Sequence, residues 1–240
     1  MSDIGIDLVP LDEIGAMAFW LALIIGIYLL ARRFQQKVNG HPLANTVLLT
    51  ALPVMFLLAV DKQAMLQYEP AGALLLWLLG PATVGIAVPL YTNFHHVRRS
   101  LKPMVLALMA GSTTAVVSAV GIGWALGAEA ETIRSLAPKS VTTPIAMGIA
   151  DKIGGLAPLT AAFVIVTGII GAISGAVLFN ALGVKDERAR GFAMGTAAHG
   201  IGTARAFQEH EVAGTFSGVA MALNGVATAV VLPLIWLVFM

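Results

Sequence analysis

Residues 136–146 read LAPKSVTTPIA, and this stretch decides the fold because it places polar side chains and two prolines inside an overwhelmingly apolar chain. Proline lacks the N–H that a helix interior needs and its ring clashes with the preceding turn, so Pro138 and Pro144 predict a break in the helix. At membrane depth, freed backbone groups are tolerated only where they line a polar cavity or are buried in protein. The stretch therefore predicts a discontinuous element whose polar side chains form a site for a solute or an ion.

The composition places this element in a membrane. Hydrophobic residues make up 58% of the chain, charged residues 11%, and the mean hydropathy is +0.87, whereas soluble domains carry about 25% charged residues. The net charge of +1 arises from short clusters and predicts no nucleic-acid partner. The absence of cysteine excludes disulfides, thiolate metal sites and a cysteine nucleophile. The acidic N-terminus, residues 1–13, lacks the basic region of a cleaved signal peptide, so we expect it to be retained.

Hydropathy divides the chain into long apolar spans and two shorter polar segments. Each span has close to the ~20 residues that cross a bilayer. The spans lie near 15–31, 43–60, 71–93, 103–127, 157–182 and 212–239. The polar segments, 129–154 and 190–208, are interrupted by Gly, Pro, Thr and charged residues. The predicted fold is an all-α polytopic membrane protein with about six to eight transmembrane or discontinuous helices, inverted repeats, and broken helices at the midplane.

Basic residues in the short loops predict the orientation of the spans, since Lys and Arg are retained on the cytoplasmic side. The first, third and fifth spans are each followed by a basic cluster: Arg32, Arg33 and Lys37; Arg98, Arg99 and Lys102; Lys185, Arg188 and Arg190. If all three clusters are cytoplasmic, span 103–127 runs outward and span 157–182 runs inward. Segment 129–154 must then leave and return on one face, as a re-entrant or discontinuous element does.

A faint internal repeat is compatible with this arrangement. Residues 79–84 resemble residues 136–141, and the Ala-Leu-Gly at 125–127 recurs at 181–183, so the copies lie about 56 residues apart. With the orientation above, the copies would be inverted, which is typical of transporters; alternatively, Leu, Ala and Gly recur by chance in an apolar chain. We predict one transmembrane domain over 1–240, with an N-terminal helix at 1–40, a first repeat at about 43–127 and a second at about 129–240.

The second polar segment contains residues 195–205, GTAAHGIGTAR. On a helix, His199 and Thr203 would stand four apart on one face, with Thr196 three residues before His199. The three glycines let another backbone or a substrate approach closely. Arg205 offers a planar fork suited to a carboxylate, and half-helix N-termini from both broken segments would direct N–H groups at the same anion.

The predicted substrate site gathers the polar side chains of the two broken segments. Its members are Lys139, Ser140, Thr142, Thr143, Thr196, His199, Thr203 and Arg205. Blander roles stay open for several of them. Lys139 and Arg205 could extend to the headgroups, His199 could be a hydrogen-bonded core residue, and the threonines could satisfy carbonyls freed by Pro144. The small residues Gly168, Gly171, Ala172 and Gly175 predict helix packing and not a site.

Three runs resemble the LrgB/CidB (YohK-like) family of bacterial inner-membrane proteins: residues 138–146, residues 190–205, and the Pro-Leu-Tyr at 89–91. The similarity covers roughly residues 40–240. The same module resembles the LrgB-like part of the plant plastid glycolate/glycerate translocator. The resemblance implies a multi-pass protein of the bacterial inner (plasma) membrane.

The resemblance implies two different functions. One is antiholin-like or holin-like control of murein hydrolase export and lysis, usually beside an LrgA/CidA-type membrane subunit. The other is transport of small monocarboxylates such as glycolate, glycerate or pyruvate. No LrgA-like module is fused to this chain, so we expect a homo-oligomer or a separate partner subunit. The residues favour the transporter, because the few intramembrane polar side chains are concentrated on two broken segments, as binding of a small carboxylate requires.

An intramembrane hydrolase is the third class, and the residues argue against it. Ser174 precedes a glycine, but the chain has no HExxH, no oxyanion-hole motif and no paired aspartates in its apolar spans. We therefore predict no catalytic residue, no metal and no cofactor. The sequence also lacks an ATP-binding P-loop, so transport would be secondary, with His199 and Lys139 as candidates for proton coupling.

Overall fold

The computed structural model describes residues 11–38, 44, 46–85, 91 and 94–239, and this part of the chain contains helices and no strand. The helices are α1 (Leu11–Lys37), α2 (Thr46–Val60), α3 (Lys62–Gly85), α4 (Phe94–Arg99), α5 (Leu101–Ala125), α6 (Ala130–Leu136), α7 (Thr143–Ile153), α8 (Ala157–Ala181), α9 (Glu187–Glu209) and α10 (Glu211–Phe239). The prediction of an all-α fold is confirmed.

Among the described residues, four helices are long and apolar enough to cross a membrane: most of α1, all of α5 and α8, and most of α10. They correspond to four of the six predicted spans. The span predicted at 43–60 is the shorter apolar helix α2. The span predicted at 71–93 overlaps α3, and residues 86–90 and 92–93, including Pro89 and Leu90 of one family motif, lie outside the described residues. Four membrane-crossing helices and a shorter apolar one identify a multi-pass membrane protein.

The chain divides into two compact units, Met1–Gly85 and Ile86–Met240. In the first unit, α1 packs against α2 and α3 around the buried side chains of Trp20, Val54 and Ala71. Trp20 also meets Tyr68 edge to face, with ring centroids 5.6 Å apart. All eight residues of the predicted substrate site belong to the second unit.

The first polar segment forms a re-entrant hairpin, which we call the first hairpin: α6, the turn 137–142 and α7. Pro138 lies in the turn, and Pro144 lies in the first turn of α7, where its missing N–H costs no helical hydrogen bond. After α7 the chain returns to α6. The backbone N–H of Leu156 donates to Ser135 Oγ at 2.7 Å, and Arg134 donates to the carbonyl of Gly154 at 3.5 Å. The break and the return predicted from the prolines and the basic clusters are both confirmed.

The second polar segment, α9, also reverses direction, and we call it the second hairpin. Its backbone leaves helical geometry at Ala198 (φ −124°, ψ 15°) and His199 (φ 41°, ψ −133°), which separates the arms 187–197 and 200–209. Glu209 Oε2 lies 3.8 Å from a guanidinium nitrogen of Arg190, whereas a straight helix would hold these residues roughly 28 Å apart. The predicted break is present, and the structure adds the reversal.

A helix followed by a hairpin occurs twice in the second unit. Helices α5 and α8 end alike at the recurring Ala-Leu-Gly: Gly127 has φ 74° and Gly183 has φ 69°, and the N–H of each bonds a carbonyl three residues earlier. Each helix then leads into a hairpin. Residues 79–84 differ from their sequence counterpart, because they lie within α3 whereas residues 137–142 form a turn. Repeat boundaries at about 43–127 and 129–240 stay a prediction.

The two hairpins enter the second unit from opposite ends. The start of α5 lies beside the start of the second hairpin, where Phe192 packs with Val97 and Met104. Arg99 and Arg188 accordingly line one cavity there. Because the start of α5 lies at the same end as the end of α8, the two helices run in opposite directions, as the basic clusters predicted. The hairpins that follow α5 and α8 therefore begin at opposite ends and point toward each other.

Candidate functional site

The turn 137–142, which we call the first tip, and residues 196–199 at the bend of the second hairpin, which we call the second tip, meet at the side chain of Asn224 on α10. Its amide nitrogen donates to the carbonyl oxygen of Ser140 in the first tip at 3.2 Å and to that of Thr196 in the second hairpin at 3.0 Å. Its oxygen accepts from Ser112 Oγ on α5 at 2.5 Å and from Thr228 at 3.5 Å. A neutral amide has two donors and two acceptor positions, so this buried side chain is fully satisfied.

This meeting point lies half-way along three membrane-crossing helices. Ser112 is close to the midpoint of α5, Gly168 is close to the midpoint of α8 and contacts the second tip, and Asn224 is close to the midpoint of α10. A helix of 25 residues spans roughly 38 Å, so its centre falls near the centre of a bilayer. The non-helical backbone of both tips is thus buried in protein at membrane depth, where exposure to lipid would leave polar groups unpaired.

His199 forms the bend of the second hairpin and is buried. Its Nε2 lies 3.0 Å from the carbonyl oxygen of Val164 on α8. A carbonyl can only accept, so Nε2 carries the proton that is donated. The positive φ of 41° is rare for a residue with a side chain, and such strain persists only where surrounding contacts fix it. The hydrogen bond to Val164 and the burial of the ring supply those contacts.

The small residues of α8 receive the second hairpin. A Cβ built on Gly168 would lie 2.7 Å from the His199 ring, and one built on Gly171 would lie 2.5 Å from the Ala198 side chain. Any larger residue at these two positions would push the bend away from α8. The stripe therefore packs against the second hairpin, as predicted, but Gly171 also lines the cavity that contains Lys139.

Lys139 lines an open cavity of about 730 Å³ beside the first tip. Its ammonium donates to Ser140 Oγ at 3.3 Å, and no carboxylate among the described residues forms an ion pair with it. The remaining walls come from three helices and are mostly small or hydroxyl-bearing, including Gly111, Thr114, Thr167, Gly171 and Ala197.

Four of the eight predicted residues therefore lie together: Lys139 and Ser140 at the first tip, and Thr196 and His199 at the second. Ser140 and Thr196 are joined through Asn224, but the hydroxyl of Thr196 bonds the carbonyl of Phe192 in its own arm at 2.9 Å. This group of residues thus provides one cation, Lys139, that lines an open cavity. The backbone carbonyls of Ser140 and Thr196 are already hydrogen-bonded to Asn224.

The other four predicted residues make different contacts. Thr142 caps the start of α7 without a side-chain capping bond, Thr143 is the first residue of α7, and both are half-buried. Thr203 is buried against α10 and shares a 2.9 Å hydrogen bond with Ser217. Arg205 Nε donates to Glu209 Oε1 at 3.1 Å, near the open end of the second hairpin. The structure does not bring the guanidinium of Arg205 to Lys139.

Sequence reasoning missed Asn224, the residue that joins the tips. A signal existed, because an amide in the middle of an apolar span is costly unless it is hydrogen-bonded. Ser112 gave a similar signal as the start of a short polar run in α5. Hydropathy averaged over a whole span hides a polar signal as small as one or two side chains.

The sequence analysis also did not predict the close contact between the second hairpin and α10. A Cβ built on Gly195 would lie 2.0 Å from the carbonyl oxygen of Ser217, and one on Gly191 would lie equally close to that of Ala213. The four-residue spacing of small residues on both helices is the pattern that lets membrane helices approach backbone to backbone. The first arm is thereby fixed against α10.

These features define a class: a multi-pass α-helical membrane protein in which two opposed re-entrant hairpins meet at mid-membrane beside a cation-lined cavity. The model of the LrgB-like family matches residues 24–238, and the chain belongs to that family.

Relatives match over nearly the whole chain. The chain is 35% identical over 220 residues to YwbG of Bacillus subtilis, covering 92% of this chain and 96% of YwbG. It is 30% identical over 219 residues to the holin-like protein CidB of Staphylococcus epidermidis, covering 91% and 95%. It is 29% identical over 232 residues to the holin-like protein CidB of Staphylococcus aureus, covering 95% and 99%. No solved structure matches the chain.

Proposed function

We propose that this protein is a secondary transporter of small monocarboxylates, of the size of glycolate, glycerate or pyruvate, in the bacterial inner membrane. The observation that carries the proposal is Lys139, whose ammonium lines a cavity at mid-membrane and has no carboxylate partner in the described part of the chain. An intramembrane cation is costly and is found where it pairs with another charge or serves a substrate path. A carboxylate substrate would supply the missing charge.

The surroundings of Lys139 fit a small, polar anion. Hydroxyl groups of Ser140, Thr114 and Thr167 share the cavity wall with the ammonium and can donate to carboxylate or hydroxyl oxygens. Glycine and alanine occupy much of the rest of the wall, so a three-carbon acid has room without displacing side chains. Charge-assisted hydrogen bonds to a carboxylate are about twice as strong as neutral ones, which makes Lys139 the main determinant of affinity.

The two hairpins support a transport cycle. Opposed re-entrant elements that meet at a central site are typical of secondary transporters, in which each side of the site opens in turn. The chain has no ATP-binding motif, so an ion or substrate gradient would drive the cycle. His199, which is buried at the bend of the second hairpin, stays our candidate for proton coupling together with Lys139.

A second candidate is a holin-like role, because two staphylococcal relatives carry the name holin-like protein CidB. Such a role would release larger solutes and would not need a cation in the cavity beside the first tip. A separate LrgA/CidA-type subunit or a homo-oligomer is compatible with either candidate.

The two candidates are separated by reconstituting the purified chain alone into proteoliposomes. We expect saturable uptake of radiolabelled pyruvate or glycolate and retention of an entrapped fluorescent dye of several hundred daltons. Lys139→Gln should remove most uptake, whereas Lys152→Gln, which removes an exposed lysine from the end of α7, should not. Release of the dye, or uptake that does not saturate, would contradict the transporter and favour the pore.

A further inference from the structure

The Lys139 cavity abuts a second cavity that leads toward the basic end of the molecule. This second cavity has a volume of about 590 Å³ and lies between the first half of α5 and the first arm of the second hairpin. The two cavities share Gly111, Ala115 and Ala197 as wall residues. Only small side chains stand at their boundary, so no bulky group separates them.

Close packing marks this boundary as the narrow part. A Cβ built on Gly111 would lie 3.1 Å from the methyl group of Thr196, so α5 and the second hairpin already touch there. The methyl group, and with it Gly111, Ala115 and Ala197, therefore limits the size of a solute that passes between the cavities. Thr196 cannot turn aside freely, because its hydroxyl is held by Phe192 O at 2.9 Å.

Charge distinguishes the far end of the second cavity. Asp186 binds Arg188 through both carboxylate oxygens, at 3.0 and 2.5 Å, and also caps the second hairpin. The bonded Arg188 guanidinium lowers the pKa of the Asp186 carboxyl to about 2, so this pair stays neutral overall at ordinary pH. Arg99 lines the same cavity without a carboxylate partner among the described residues. The end of the second cavity at Arg99, Asp186 and Arg188 therefore carries a net positive charge that attracts anions.

We infer that the two cavities form one water-filled passage, which runs from Arg99 to Lys139 and is narrowest at Gly111, Ala115 and Ala197, and that these three residues set the largest carboxylate the site admits. The inference rests on the proposed function for its substrate. The positive-inside rule places the Arg99 end at the cytoplasmic face, so this passage is the cytoplasmic route to the central site.

Single cysteines test the passage, because the natural chain has none. Ala115→Cys at the narrow part, Ala193→Cys in the outer cavity and Val166→Cys on an exposed face of α8 outside both cavities would each be reconstituted alone. A membrane-impermeant, negatively charged methanethiosulfonate would be added to one face, and the extent of modification would be read by mass spectrometry.

We expect the cysteines at 115 and 193 to react from the cytoplasmic face at least tenfold faster than the cysteine at 166, which lies outside both cavities. Pyruvate should slow the reaction at 115 more than at 193, and modification at 115 should reduce uptake at least tenfold. A cysteine at 115 that reacts no faster than the one at 166, while the one at 193 reacts, would overturn the passage. Full uptake after complete modification at 115 would also overturn it.

Failure of the passage and failure of the proposed function give different results. Labelling does not depend on transport, so a blocked position 115 together with uptake that depends on Lys139 would reject the passage and leave the transporter standing. Rapid labelling at 115 in a chain that takes up no carboxylate would support an open passage and reject the transporter.

Discussion

The side-chain amide of Asn224 donates to the carbonyl oxygen of Ser140 at 3.2 Å, although the two residues are 84 positions apart in the chain. The second amide hydrogen goes to Thr196 O at 3.0 Å. One side chain on a membrane-crossing helix thus holds the tips of both hairpins. The non-helical backbone of both tips is stabilised at mid-membrane by a residue that does not itself line the Lys139 cavity.

Replacing Asn224 by Leu should destabilise the protein. Two buried carbonyls lose their donor, and an unsatisfied buried polar group costs about 1–3 kcal/mol. For a chain of this size each kcal/mol corresponds to roughly 2–4 °C, so we expect the melting temperature in detergent to fall by roughly 3–10 °C. Thr228→Val removes only the long 3.5 Å contact to Asn224 Oδ1 and should change the melting temperature by less than about 2 °C. Equal melting temperatures for both variants would contradict the bridging role.

Gly195→Ala should separate the second hairpin from α10. The added Cβ would stand 2.0 Å from Ser217 O, which is backbone and cannot rotate away. Overpacking of this kind costs typically about 1–3 kcal/mol. Gly121→Ala is the matched control on α5, because no atom lies within 4 Å of the new Cβ. We expect a lower melting temperature and a lower yield of monodisperse protein for Gly195→Ala alone. Wild-type behaviour of Gly195→Ala would show that the hairpin and α10 are not in backbone contact.

Arg205 should matter for stability more than for substrate binding. Its guanidinium is half-buried against Glu209, so Arg205→Ala leaves a partly buried carboxylate with only the 3.8 Å contact to Arg190. The double variant Arg205→Ala/Glu209→Ala should recover part of the lost melting temperature, and Arg205→Lys should keep uptake close to wild type. A tenfold loss of apparent affinity in Arg205→Lys, at an unchanged melting temperature, would return Arg205 to the substrate site.

The sequence predicted the elements that local chemistry dictates. Pro138 and Pro144 lie six residues apart among polar side chains, so together they free several backbone groups and made the first break readable, whereas the single Pro233 stays inside α10. The basic clusters then required the segment between α5 and α8 to return to the face it left. Both deductions use only the cost of unpaired backbone groups and the retention of positive charge on one side.

Structural features that depend on contacts between segments far apart in the chain could not be predicted from the sequence. Arg205 and Glu209 have the i, i+4 spacing of an ion pair on one helix. The sequence alone could not decide whether Arg205 pairs with Glu209 or with a substrate carboxylate. Asn224 is the one amide side chain of α10, and nothing in the neighbouring sequence identifies the two carbonyls to which it donates. The reversal at His199 also required knowledge of α8, whose small residues accept the bend.

The concentration dependence of carboxylate uptake in proteoliposomes tests the central claim most directly, for wild type, Lys139→Gln, Lys139→Arg and the control Lys152→Gln at matched protein content and melting temperature. Loss of a charge-assisted hydrogen bond costs about 1.5–3 kcal/mol, so Lys139→Gln should raise the half-saturating concentration roughly 10- to 150-fold. Lys139→Arg should retain part of the affinity, and Lys152→Gln should match wild type. Unchanged half-saturation in Lys139→Gln would contradict the anion site and with it the proposed transporter.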